Sequence, residues 1–419
     1  MLDTKLKILK VIHGFPPDFM AGSEVYSFTL CKELVKEGHK VFVFTRVENE
    51  FDEPYTIYNE SYVNGEFVRD SHLLSQDKHL SIRRVNKKKD YTYKDKFYDE
   101  GIEKAFREYL EQVKPDIVHF GHLAHLSINL VKIAKEYQKP VVFTLHDFWL
   151  YCVRGQLIDS KLLLCDGPSV EKCKACSPYT TMGSEVKKAL ENLKEIRENI
   201  DMFISPSHTL RDYFIKNGIQ EDKIIYQKYG FDKASITYRK RVFGLKDKIR
   251  FGYMGRIIPT KGIKVLLESF RMLTQNYPEQ KLRIYGNIGS SKRFLQDSFV
   301  EFMGGYDNKE IDRILQEIDV LIVPSIWLEN SPLVIQEAFL AGVAVVSADI
   351  GGMFELIDGD RGLCFKARNA ESLKNVLEKI IQNPSILNAL PDNRDSVDSI
   401  QQDYQTIFSI YTKLLKETK

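Results

Sequence analysis

Short runs of β-branched and aromatic residues alternate with longer segments of helical apolar period along almost the whole chain. KILKVIHG (7–14), KVFVFT (40–45), DIVHFG (116–121), PVVFTLHD (140–147) and DMFISPS (201–207) predict buried strands. Between the first two, SEVYSFTLCKELVKEG sets Val25, Phe28, Leu30, Cys31, Leu34 and Val35 on one wide stripe, as a helix lying on a sheet requires. Strand, helix and strand in that order imply a parallel sheet covered on both faces.

The cycle then starts again. IRFGYMGR (249–256), KLRIYGN (281–287), VEFMGG (300–305), DVLIVPS (319–325) and VAVVSAD (343–349) form a second strand series, with helical segments such as GIKVLLESFRML and NKEIDRILQEI between them. Two such series predict an α/β protein of two Rossmann-like domains, joined through the polar stretch 231–248. We place the first domain at 1–235 and the second at 236–398. After Pro391, a stripe through Ile400, Tyr404, Ile407, Phe408, Tyr411 and Leu414 predicts a last helix over 399–419 that packs back on the first domain.

Residues 47–96 break the pattern. They are polar and Tyr-rich, with a basic cluster at Arg83–Lys89, and read as a solvated insertion carrying a hairpin. The alternative for that cluster is an acceptor-binding or membrane-surface role. A formal charge of +2 over 419 residues argues against a dedicated nucleic-acid binder. The opening MLDTKLKILKVIHG lacks the long apolar core of a signal peptide, so a cytoplasmic protein is expected, with peripheral contact at the inner membrane face where the basic insertion meets it.

The candidate chemistry lies in the second half. In IWLENSPLVIQEAFLAG (326–342), Glu329 falls in a loop and Glu337 in the helix after it. Ser331 is placed to cap that helix, Pro332 to open it and Gly342 to end it. The helix follows a strand end, where open α/β sheets take ligands, and its first N–H groups suit an anion. In YMGRIIPTKGIKVLLE, Arg256 and Lys261 flank a Pro-Thr turn before the next helix. Two cations and a helix N-terminus in one crevice neutralise a leaving diphosphate without a metal.

G-R-x-x-P-x-K-G at 255–262, E-N-S-P-L-V-I-Q-E-A at 329–338 and G-V-A-V-V-S-A-D-I-G-G at 342–352 resemble the family 4 retaining glycosyltransferases. The resemblance implies the GT-B fold, two Rossmann-like domains facing across a cleft, with a nucleotide-sugar held mainly by the second. It implies a UDP- or GDP-sugar donor, a glycan, lipid-linked or polysaccharide acceptor, and no cofactor for catalysis. By the same resemblance Glu329 meets the donor sugar and Glu337 the ribose, while Arg256, Lys261, Ser331, Leu333 and Val334 surround the diphosphate. PPDFMAGSE matches the glycine loop of the first domain, so Gly22 lets backbone approach the donor; Ala21 stands where a second glycine is usual. TLHD places His146 beside the sugar. YGFD (229–232) stands where Asn-Gly-Val-Asp is common. The base-binding loops are expected after Tyr285 and around Phe302–Tyr306.

Three other features need a reading. Asp358-Gly359-Asp360 imitates a metal-binding Asp-x-Asp, yet its glycines mark a turn. His13, His119, His122 and His125 read first as satisfied structural histidines, with His119 and His122 the two that a strand end brings nearest the cleft. Cys152, Cys165, Cys173 and Cys176, in the segment 150–180, have the form C-x12-C-x7-C-x2-C and suit a structural zinc, with reduced thiols or a disulfide as alternatives. A nucleotide-sugar 2-epimerase or a non-catalytic partner subunit on the same fold is the rival function. A dehydrogenase is the reading least favoured, because no G-x-G-x-x-G follows the first strand.

Overall fold

Two predominantly parallel sheets carry the molecule, and both have the strand order of a doubly wound nucleotide-binding domain. The computed structural model describes residues 5–69, 80–87, 96–176, 183–288 and 296–417. The first sheet contains β1 (Lys7–Val11), β2 (Lys40–Val47), β3 (Ile57–Val63), β4 (Glu66–Arg69), β5 (Leu80–Asn86), β6 (Ile117–Phe120), β7 (Val141–Thr144), β8 (Met202–Ser205) and β9 (Ile224–Tyr226). Its order is β4-β3-β5-β2-β1-β6-β7-β8-β9. The second contains β10 (Phe251–Met254), β11 (Leu282–Tyr285), β12 (Val300–Gly304), β13 (Val320–Val323), β14 (Ala344–Ala348) and β15 (Leu363–Phe365), in the order β12-β11-β10-β13-β14-β15. In each, chain direction in the sheet reverses beside the first strand, which puts a ligand crevice at the strands' C-terminal edge.

The central strands form where predicted because they are buried on both faces: β6, β7, β8, β10 and β13 expose nothing. Three strands escaped the sequence reading. β9 and β15 have only three residues each, too few to show a period. The third, β5, corrects the reading of 47–96. The hairpin is present as β3 and β4, but β5 is a fully buried strand running parallel to β2.

Its arginines find their partners within the fold. Arg84 donates from Nε to Glu60 at 2.7 Å and from Nη1 to the Phe15 carbonyl at 3.2 Å, with Asp18 and the Pro16 carbonyl also in its reach. Arg83 bonds Asn59 and Gln112 and lies over the Tyr109 ring, and Lys87 pairs with Asp99 at 2.8 Å. A charge can be buried once it is paired and hydrogen-bonded. The described part of the basic cluster therefore offers no surface to lipid or acceptor; Lys88 and Lys89 lie outside the described residues.

The helix Ile400–Glu417 crosses back onto the first domain, as expected. Ile407 and Tyr411 are fully buried against the β1 and α/β core there, at about 1.5–3 kcal/mol for each such side chain. Gly230 makes the close approach possible: a Cβ there would sit 2.7 Å from the Ile400 Cα. His119 belongs to this seam and not to the cleft, since its ring nitrogens bond Tyr411 Oη at 2.6 Å and Thr144 Oγ1 at 2.7 Å. No helix among the described residues is long and apolar enough to cross a membrane.

Candidate active site

After β13 the chain runs along the sheet's C-terminal edge from Pro324 to Pro332 and enters the helix Leu333–Ala341. Glu329 is buried in this run. Its Oε1 accepts from Lys261 Nζ at 2.5 Å, Ser325 Oγ at 2.7 Å and Trp327 Nε1 at 3.0 Å. Three donors on one oxygen fix the side chain and leave Oε2 without a described partner. The backbone is held as firmly, because the Glu329 carbonyl accepts from Gly352 N at 2.8 Å.

Lys261 reaches Glu329 because of a glycine. It closes the single turn Pro259–Lys261, and Gly262 follows at φ +75° against the loop after β13; a Cβ there would lie 1.7 Å from the Pro324 carbonyl oxygen. Arg256, by contrast, is exposed, and its guanidinium makes no hydrogen bond or ion pair to another described residue. Among the described residues the structure thus joins Lys261 to Glu329 and leaves Arg256 free at the rim.

The helix itself begins one residue later than the sequence suggested. Pro332 takes the cap position, without a side-chain cap, because its backbone is extended (ψ 119°), and Leu333 is the first helical residue. Ser331 does not cap; its Oγ accepts from Gln336 Nε2 at 3.2 Å. The first helical N–H groups, at Leu333 and Val334, have no intrahelical acceptor. Glu337 lies one turn on, half-buried, and its carboxylate makes no hydrogen bond or ion pair to another described residue. Burial raises its pKa to about 7.

Gly22 opens the helix Gly22–Lys36 of the first domain, and a Cβ there would touch Leu333 Cδ1 at 3.4 Å. The two helix starts therefore meet across the cleft. His146, just past β7, bonds Tyr229 Oη at 2.7 Å through Nδ1, while its buried Nε2 has no partner. Burial and the charges of Lys10 and His122 hold its pKa well below the usual histidine value. Tyr229, in the YGFD stretch, thus orients the histidine from the first domain's own core.

Asn330, the second residue of the E-N-S-P run, has a role that the sequence pattern does not show. Its Oδ1 accepts from Ser207 Oγ at 2.5 Å and its Nδ2 donates to the Leu145 carbonyl at 3.0 Å, so it ties the glutamate loop to the opposite domain. Ser207 also caps the helix His208–Lys216, and Glu355 of the second domain accepts from the His208 and Thr209 amides of the same helix at 2.8 and 2.5 Å. One signal was available: an Asn between a buried Glu and a helix start needs partners for both ends of its amide.

The cysteine segment lies beside this site. Ile158 pairs with Leu164 in a small hairpin and packs against Ile326 and Trp327. All four thiols are free, and burial with the neighbouring Cys152, Cys165 and Cys176 pushes Cys173 up to about 11. Among the described residues, no group of three or more His, Cys, Asp or Glu is arranged to hold a metal ion. Asp358 and Asp360 flank Gly359 (φ +71°) in an exposed turn, as read. The loop after Tyr285 lies partly outside the described residues.

Two doubly wound domains whose ligand edges face each other define the GT-B class of glycosyltransferases. Residues 20–233 match the family model Glycosyltransferase Family 4, and residues 236–395 match Glycosyl transferases group 1. The chain belongs to glycosyltransferase family 4. It is 26% identical over 364 residues to an uncharacterized 42.6 kDa protein in the cps region of Klebsiella pneumoniae, covering 84% of this chain and 87% of that one. It is 22% identical over 433 residues to an uncharacterized glycosyltransferase of Methanocaldococcus jannaschii, covering 98% and 100%. Among solved structures, Anabaena HepE in complex with UDP and glucose shares the fold, with TM-score 0.63, 16% identity and coverage of 97% and 100%.

Proposed function

We propose that this glycosyltransferase takes its sugar from a nucleoside-diphosphate donor and transfers it with retention of anomeric configuration to a hydroxyl of a glycan, lipid-linked saccharide or polysaccharide. The observation that carries the reading is the Lys261–Glu329 pair beside the open N-terminus of the helix Leu333–Ala341. An anionic leaving group at that place meets Lys261 and the Leu333 and Val334 amides together, and Arg256, unpaired among the described residues, stands at the rim. The Glu337 carboxylate, unpartnered among the described residues, suits a pair of ribose hydroxyls, and Glu329 Oε2 suits a hydroxyl of the sugar.

In the reaction, the bond from the anomeric carbon to the β-phosphate oxygen breaks, and its electron pair leaves with the diphosphate. Charge building on that diphosphate is stabilised by Lys261, the helix amides and Arg256. The acceptor oxygen bonds to the anomeric carbon from the face the phosphate leaves, and its proton passes to a phosphate oxygen. Retention follows without a protein nucleophile. The glutamates position the donor and do not form a hydrolytic pair.

A thermal-shift screen against UDP, GDP and their sugars tests the donor, and NMR of the product's anomeric proton tests retention. No stabilisation by any nucleotide, with Arg256→Ala and Glu337→Ala matching the parent in every condition, would overturn the proposal.

A further inference from the structure

A cavity of about 360 Å³ lies at the seam between the domains, behind the clasp that Asn330 and Ser207 make. Pro206 and His208, on either side of Ser207, line it from the first domain, and Gly352, which lies against the Asn330 carbonyl, lines it from the second. Gln336 and Phe339 put one face of the helix Leu333–Ala341 on its wall. Glu337, one residue on, is turned about 100° from Gln336 around the helix. None of Glu337, Glu329, Lys261 or Arg256 lines the cavity. The space is therefore separate from the donor groups, and it is of a size that holds a small metabolite.

The charged groups around it are unequally spent. Glu355 has both oxygens occupied, Oε2 by the His208 amide at 2.8 Å and Oε1 by the Thr209 amide at 2.5 Å, and it lies at a helix N-terminus that offsets its charge. Asp358 is exposed and accepts the Gly359 amide at 2.9 Å. The cations keep hydrogens to give. Lys228 Nζ donates to the Ser396 carbonyl at 2.9 Å, and among the described residues its other two hydrogens have no acceptor. Arg361 donates from Nε to the Asp358 carbonyl at 2.7 Å and from Nη2 to the Glu355 carbonyl at 2.9 Å, while its Nη1 bonds no described residue. The Tyr226 hydroxyl has no hydrogen-bond partner among the described residues either. Burial, with Glu355 and Asp398 nearby, pushes its pKa up to about 12, so it keeps a proton to donate.

Three such donors on one cavity, two of them cationic, suit an anion with several acceptor oxygens, and a phosphate is one. The rest of the wall is apolar. The His208 and Tyr226 rings stack at 3.9 Å, and Pro206, Phe339 and Leu356 continue a surface on which a ring can lie.

We propose that this cavity is a second ligand site, which takes the phosphate monoester of a ring-bearing metabolite, a sugar or a nucleoside. Lys228, Arg361 and Tyr226 hold the phosphate, and the ring lies on the apolar wall. Because Lys228 and Tyr226 come from the first domain and Arg361 from the second, the ligand braces the seam that Asn330 and Ser207 clasp.

The test titrates the full chain by calorimetry, with and without saturating UDP or GDP. The probes are glucose 6-phosphate, mannose 6-phosphate and AMP, with inorganic phosphate and glucose as controls. At least one monoester should bind with the diphosphate present, at least tenfold more tightly than inorganic phosphate, and glucose should not bind. The sugar phosphates and AMP separate the two sources of the ring. Lys228→Met and Arg361→Gln should each weaken the binding about tenfold, and a cooperative unfolding transition reports that both are folded. Lys261→Met should bind the monoester as the parent does. Competition by UDP or GDP, or loss of binding in Lys261→Met, would place the ligand among the donor groups and overturn the proposal. So would binding of no monoester, equal affinity for inorganic phosphate, or parent-like affinity in both cavity variants.

Discussion

Asn330 and Ser207, 123 positions apart and in different domains, share a 2.5 Å hydrogen bond that joins the glutamate loop to a helix cap. The same asparagine donates to the Leu145 carbonyl one residue before His146. That side chain therefore links the loop that carries Glu329 directly to the strand end that carries His146. Both bonds are buried. Asn330→Ala should cost about 2–3 kcal/mol, since it strands a hydroxyl and a carbonyl. Asn330→Asp should do no better, because a carboxylate has no proton for Leu145. Equilibrium denaturation measures both, and an unchanged midpoint in either variant would contradict the clasp.

Lys261 has a structural and a chemical role that can be separated. Lys261→Met keeps the aliphatic stem and removes the donor to Glu329, for which we expect a stability loss of about 1–3 kcal/mol. Turnover should fall by about 10²–10³, the size of effect seen when one group stabilising developing charge is removed. Adding Glu329→Gln should return part of the stability and none of the turnover. A double variant whose stability loss equals the sum of the single losses would show that the pair is not coupled.

Much of this was legible in the sequence, for a physical reason. Strands buried on both faces are short apolar runs, and glycines such as Gly262 and Gly352 stand where backbone segments touch, so both leave a mark on composition. The helix that returns to the first domain announced itself by its stripe. What stayed hidden depends on partners distant in sequence. LSIRRVN looks like a solvated segment until Glu60, Asp18 and the Phe15 and Pro16 carbonyls are brought to its arginines. The Tyr229 contact to His146 and the Asn330 clasp are of the same kind, as is the His13–Glu24 pair. Each is decided by where the chain returns and not by what stands next to it.

Glu337 should give donor binding a pH dependence. With its pKa raised to about 7 by burial, the group is largely neutral below that pH and anionic above it. The anion is the better acceptor for ribose hydroxyls, so affinity for a UDP-sugar should rise about tenfold from about pH 6 to about pH 8. A UDP-sugar is the right probe because its diphosphate does not titrate in this range. The linkage sign for folding is opposite. The folded state holds the proton more tightly than the unfolded chain, so this group's contribution to stability is full below pH 4.5 and declines as pH rises toward about 7. Glu337→Gln should remove both slopes, and calorimetric titration at several pH values would show it.

The backbone at Gly352 has no room for a methyl group. A Cβ there would sit 1.5 Å from the Asn330 carbonyl oxygen and 3.0 Å from that of Glu329, both on rigid backbone. Gly352→Ala must therefore push the Glu329–Asn330 loop away from the helix Gly351–Ile357, at a cost of about 1–3 kcal/mol or more. Because the displaced atoms hold Glu329 against Lys261, nucleotide protection in a thermal-shift assay should fall more than stability alone explains. Gly359→Ala is the control. It too is strained, at φ +71°, for about 1 kcal/mol, but nothing lies within 4 Å of its added carbon and it is remote from the loop. That variant should lose a little stability and keep its nucleotide response; equal nucleotide responses in the two variants would mean that Gly352 does not hold the glutamate loop in place.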